Sequence, residues 1–148
     1  MSLPITAQPA VMPRGLFRVR AHAVVGIAWT MTLLPPALIE STLRRIAHPS
    51  RYTCSHDAQR IRAAVCAVSA RCAGEGCLQR SIAAFMLCRL EGHSPGWKTG
   101  YQLEPFAAHA WIEVDGRPVD EPLRIRSYVP VLSVAQPGEV SEHENHTD

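Results

Sequence analysis

The 148-residue chain has no CxxC pair, no phosphate-binding glycine loop, no internal repeat and little net charge. Its five cysteines, at 54, 66, 72, 77 and 88, are an odd number, and the tightest pair (72 and 77) is five apart. That is poor material for a secreted disulfide framework and for a cysteine zinc site, so no metal is expected and a reducing cytoplasm is the expected compartment. Fifteen Lys and Arg against 13 Asp and Glu leave a formal charge of +2, too balanced for a dedicated nucleic-acid binder. Charged residues at 19% and hydrophobic ones at 47% exclude a disordered or collagen-like chain, and the length suits one domain. The charge is unevenly placed. Residues 1–138 hold all 15 basic residues and nine acids, for +6, while Glu139, Glu142, Glu144 and Asp148 give the last ten −4.

The one long apolar stretch, Ala21 to Ile39, contains no Asp, Glu, Lys or Arg and follows three arginines. Pro35-Pro36 splits it short of the roughly 20 residues a membrane crossing needs. It therefore reads as a buried helix and not a stable membrane span; no A-x-A-type cleavage site follows it. Residues 1–16 are expected to be a loose, proline-rich arm, residues 17–136 the folded domain, and residues 137–148 a disordered acidic tail.

Within the domain, Ala37–His48 reads as a short amphipathic helix carrying Leu38, Leu43 and Ile46 inward and ended by Pro49. A third helix starts at Ser55. Ile61, Ala64, Val65, Val68 and Cys72 keep its 3.6 period, Arg60, Arg62 and Arg71 face out, and Gly74 stops it. Gly76-Cys77 opens a fourth helix, closed by Gly92 and apolar around much of its circumference, as a central buried helix should be. From Trp97 the pattern changes to strands. Thr99, Tyr101 and Leu103 alternate until Pro105, and HAWIEVDGRPVDE reads as two strands around an Asp115-Gly116 type I′ turn. A last strand covers Tyr128 to Val134. Helices first and an antiparallel sheet after them make the fold class α+β.

Cys77 is the first candidate for chemistry. The first turn of a helix presents unpaired N–H groups and the positive end of the helix dipole, which ease thiol ionisation and can receive an oxyanion. Gly76 would let a substrate backbone approach closely. His109 heads a strand after the small-residue loop Ala107-Ala108. With a two-residue turn, Val114 faces Arg117, Glu113 faces Pro118, Ile112 faces Val119 and Trp111 faces Asp120. Asp120 then lies diagonally from His109 on the same face, at roughly 7–8 Å between backbone positions. A three-residue loop would slip the register and put Glu121 there instead. Trp111, on the His109 face, is a core residue or a wall that keeps water out. Arg80, one turn after Cys77, either holds a substrate carbonyl or carboxylate or favours the thiolate by its charge, or else lies on a solvated face or makes an internal salt bridge. The remaining histidines show no metal-ligand spacing apart from His143 and His146 in the tail.

A helix-start cysteine, then a strand histidine, then an acid on the next strand is the chain order of the transglutaminase-like, papain-related superfamily. More closely, GCLQRSIAAFMLCRLEGHSP followed by PFAAHAWIEVDGRPVDEP resembles the stand-alone leader peptidases of lasso-peptide biosynthesis, from about Phe17 to Ser133. The resemblance implies a papain/transglutaminase-like fold with the cysteine helix packed on the sheet. It implies a cofactor-free cysteine peptidase that removes the leader of a ribosomally made precursor. Cys77 would be the nucleophile, His109 the base and Asp120 the orienting acid. The partners it implies are the precursor peptide, a separate winged-helix leader-recognition protein and an ATP-dependent macrolactam cyclase. The region ahead of the protease helices is too short and too proline-broken to be the recognition domain itself. An acyltransferase passing the same thioester to an amine, and a non-catalytic peptide-binding adaptor, are the competing readings.

Overall fold

The computed structural model describes residues 12–47 and 53–137. Most of the expected arm, the expected end of the second helix at His48-Pro49, and nearly all of the acidic tail lie outside the described residues. Among the described residues five helices precede the sheet: α1 (Gly15–Met31), α2 (Pro36–Ile46), α3 (Ser55–Val68), α4 (Ala70–Ala73) and α5 (Cys77–Leu90). Four strands follow: β1 (Gly96–Leu103), β2 (Phe106–Val114), β3 (Arg117–Pro118) and β4 (Val129–Val134), with a 3-10 turn at Leu123–Ser127 before the last. The fold is mixed α+β with an antiparallel sheet in the order β3-β2-β1-β4. Among the described residues no helix is long and apolar enough to cross a membrane.

α5 is the central element, as its composition requires. Every residue from Gln79 to Phe85 is buried, with Leu87 and Cys88 beyond. It packs on α1 and α3 on one side and on β2 on the other. Trp97 of β1, wholly buried, donates from Nε1 to Ser81 Oγ at 3.0 Å. That bond ties the sheet to α5 one turn beyond Cys77 and fixes the helix start relative to the strands. The remaining core comes from Ala21, Val24, Ala28 and Met31 of α1, Ile39 and Leu43 of α2, and Ile61 and Val65 of α3.

Four local expectations are corrected. The third helix is not continuous. Ser69 is extended (φ −144°, ψ 112°), and its side chain accepts the Cys72 N–H at 3.2 Å, capping α4 as a separate turn. A serine that can bond a nearby backbone amide offers the chain an alternative to helix, and here the chain takes it. Leu38 is 52% exposed; Ile39 takes its place inward, because Ile39, Leu43 and Ile46 keep the i, i+4, i+7 spacing of one helix face and Leu38 does not. Arg62 does not face out, but lies buried on the inner side of α3. Ala107 and Ala108 are not a loop but strand residues, paired with Gln102 and Tyr101, so His109 sits in the body of β2 opposite Gly100.

Candidate active site

The sequence around Cys77 folds as it does because a buried guanidinium holds it. Arg80 is 1% exposed and donates from Nη1 to the carbonyls of Cys72 (2.8 Å) and Gly74 (3.1 Å). With both bonds spent on the turn that precedes α5, Arg80 supports that turn from inside and is not a surface group facing a substrate. Gly76 N–H donates to Arg71 O at 2.9 Å, and a Cβ on Gly76 would stand 2.8 Å from that oxygen. The glycine is thus required by packing against Arg71, a stronger reason than substrate approach. A cleft of about 550 Å³ opens beside it, lined by Arg71, Glu75 and Gly76.

The half-buried Cys77 thiol is acted on by the His109 imidazole and the Ala110 backbone N–H, both of which favour its ionised form. Burial pushes its ionisation upward, but the His109 bond and charge, the Ala110 amide and the Arg80 charge outweigh it, and the net shift is down. On His109, burial works against the charged ring. The bonds to Cys77 and Glu121, with their negative charge, win and carry the imidazole to about 9. Both shifts run in the direction that favours a thiolate–imidazolium pair. Nε2 of His109 is 2.8 Å from Glu121 Oε2, which leaves Nδ1 for the sulfur.

The acid that reaches His109 is therefore Glu121 and not Asp120, although the hairpin keeps the expected register. Val114 faces Arg117, Glu113 faces Pro118, and Val119 N–H donates to Ile112 O at 3.0 Å. Asp115 (φ 52°) and Gly116 (φ 70°) form the two-residue turn with both residues left-handed. No slip occurs. Beyond β3 the chain instead turns at Asp120, whose φ of +50° leaves the aspartate exposed and aims the next carboxylate inward. Aspartate is one of the few side chains that tolerate this conformation.

The Glu121 side chain is 3% exposed and has a second partner. Its Oε1 accepts from Arg62 Nη2 of α3 at 3.0 Å, and the Arg62 side chain is 8% exposed. Burial would raise the Glu121 carboxyl, but the His109 bond and the charges of Arg62, His109 and Arg80 hold it below the usual carboxylate range. Arg62 is the member sequence reasoning missed. The signal was present: it follows Ala58 by four residues and precedes Val65 by three, the spacing of a buried face.

Trp111, 3% exposed, lies nearly parallel to the His109 ring at 6.4 Å between centroids, and Tyr128 meets both edge-on at 6.3 and 6.4 Å. These rings cover the imidazole from solvent. Gly100 makes room for them: a Cβ there would come 2.7 Å from Val129 O and 3.1 Å from Trp111 Cη2. The other cysteines have different surroundings. Cys72 and Cys88 are fully buried, and burial pushes the Cys88 thiol up to about 12; Cys66 is also raised, and Cys54 is exposed. Among the described residues no group of His, Cys, Asp and Glu could hold a metal ion.

A thiol at a helix start, an imidazole acting on it and a buried carboxylate behind the imidazole are the parts of a thiol-dependent acyl-transfer site. Residues 21–133 match the family model of the transglutaminase-like superfamily, and the chain belongs to that superfamily, whose members are in general cysteine peptidases or acyltransferases. No curated protein and no solved structure gives a significant match to the chain.

Proposed function

We propose that the protein is a cysteine peptidase that removes the leader from a ribosomally synthesised lasso-peptide precursor in the cytoplasm. The observation that carries the chemistry is the continuous line from Cys77 through His109 to Glu121, with the sulfur at the first residue of α5. The likeness of the segments around Cys77 and His109 to lasso leader peptidases supports the substrate.

In this reading the Cys77 proton resides on His109 before substrate arrives. The thiolate attacks the carbonyl at the leader–core junction, and amides of the first turn of α5 receive the developing oxyanion. The Cys77 amide itself donates to Glu75 O at 2.9 Å, so the donors further along that turn serve this role. The imidazolium gives its proton to the leaving amine of the core peptide, and the C–N bond breaks to leave a thioester. His109 then takes a proton from water, which cleaves the thioester and releases the leader as a carboxylate. Glu121 holds the ring throughout. A separate winged-helix recognition protein tethers the leader near the site, where an effective concentration of roughly millimolar substitutes for intrinsic affinity. An ATP-dependent cyclase consumes the freed amine.

Mixing the chain with precursor and recognition protein, and following the products by mass spectrometry, tests this. Two fragments summing to precursor plus water are expected, with none from Cys77→Ala or His109→Ala. A new amide to an added amine would make the protein an acyltransferase, and cleavage surviving in both variants would remove the site assignment.

A further inference from the structure

Arg62 lies on the inner face of α3, a helix that contributes no other group to the chemistry. Its guanidinium is one of two cations buried near the site. Arg80 is spent on backbone carbonyls, whereas Arg62 ends on a carboxylate that is itself bonded to the base. A buried carboxylate with a single imidazole partner can rotate, and it can take up a proton to escape its desolvation. With Arg62 on Oε1, the rotation that would carry Oε2 away from His109 breaks an ion pair that is 8% and 3% exposed. The charge-assisted bond also fixes the direction of the planar carboxylate. Because Glu121 directly follows the left-handed Asp120, the pair further anchors the end of the hairpin to α3.

We propose that Arg62 is a positioning residue of the acyl-transfer site, acting on His109 through Glu121 and thereby on the reactivity of Cys77. The consequence for turnover rests on the reading of Cys77 and His109 as nucleophile and base given above. The positioning itself is measurable without any substrate.

The test is the rate of Cys77 alkylation by iodoacetamide at neutral pH and well below the melting temperature, resolved by site with mass spectrometry so that exposed Cys54 does not interfere. The nitrogen shifts of the His109 ring are read alongside it. Arg62→Met is expected to alkylate Cys77 about tenfold more slowly, the equivalent of one unit of thiol ionisation. The ring should then show mixed tautomers. Glu121→Gln is expected to slow it at least as much. Adding Arg62→Met to Glu121→Gln should slow it no further, because the path from Arg62 runs through that carboxylate. Should Arg62→Met fail to fold, Arg62→Lys, which keeps a cation without the planar fork, takes its place. It should show a smaller slowing that also vanishes in the Glu121→Gln background. A folded Arg62→Met protein that alkylates at the wild-type rate, or losses that multiply in the double variant, would overturn the proposal. Alkylation requires neither precursor nor partner, so failure to cleave a leader would remove the proposed function and leave this result standing.

Discussion

Asp120, at φ +50°, and Glu121, whose Oε2 lies 2.8 Å from His109 Nε2, are adjacent acids with opposite surroundings. The first is exposed and turns the chain; the second is buried and bonded on both oxygens. Glu121→Gln is expected to reduce turnover by about 10²-fold or more, since an orienting acid acts through a base worth roughly 10²–10⁴. Asp120→Asn should leave turnover close to wild type, because asparagine accepts the left-handed conformation as readily. Steady-state kinetics of the two variants, side by side, check this.

Stability should depend on pH through His109 and Glu121. His109 is raised from 6.5 to about 9, so its contribution is full below 6.5 and is lost as pH rises through about 9. Glu121 is lowered, so its contribution is present above the ordinary carboxylate range and is lost as pH falls through its depressed folded value. Cys77, lowered from 9.0, contributes more as pH rises toward 9 and offsets part of the His109 loss, so melting temperature should descend only gently on the alkaline side. His109→Ala should flatten the alkaline descent, and Glu121→Gln part of the acid one.

Two glycines should resist alanine for reasons of space. A methyl at Gly76 would meet Arg71 O at 2.8 Å and one at Gly100 would meet Val129 O at 2.7 Å, backbone atoms in both cases. Each substitution is expected to cost about 1–3 kcal/mol by overpacking, read by chemical denaturation. Gly100→Ala should also disturb Trp111 and with it the fluorescence of the site.

Arg80→Met should destabilise the protein and also remove a charge that favours the ionised Cys77 thiol. It strands two carbonyls that each accept a charge-assisted bond, with an expected loss of about 2–4 kcal/mol. Cys88→Ser puts a hydroxyl where the thiol is 0% exposed and should cost about 1–3 kcal/mol. In folded Cys88→Ser protein the Cys77 alkylation rate should be unchanged, which separates packing cysteines from the reactive one.

Much of this arrangement was legible in the residues because it follows from period and turn chemistry. Apolar residues around much of its circumference placed α5 at the centre, and Asp115-Gly116 set the register as far as Val119. What failed depended on single dihedral angles or distant partners. The sign of φ at Asp120 decides which acid turns inward, and register arithmetic is blind to it. Ser69 breaks a helix whose apolar period continues through it. Arg62 looks like a surface arginine until Glu121, 59 positions away in the chain, is brought beneath it. Side-chain partners across long separations are outcomes of tertiary packing, and local sequence carries only their burial face.

The sulfur stands at the front of α5, and its imidazole and carboxylate belong to a hairpin made later in the chain. A ribosome delivers the nucleophile well before either group that activates it. Until β2 docks against that helix, the nascent polypeptide carries an ordinary, sluggish thiol. The shifted ionisation of the thiol thus belongs to the folded protein and appears only once β2 has closed on α5.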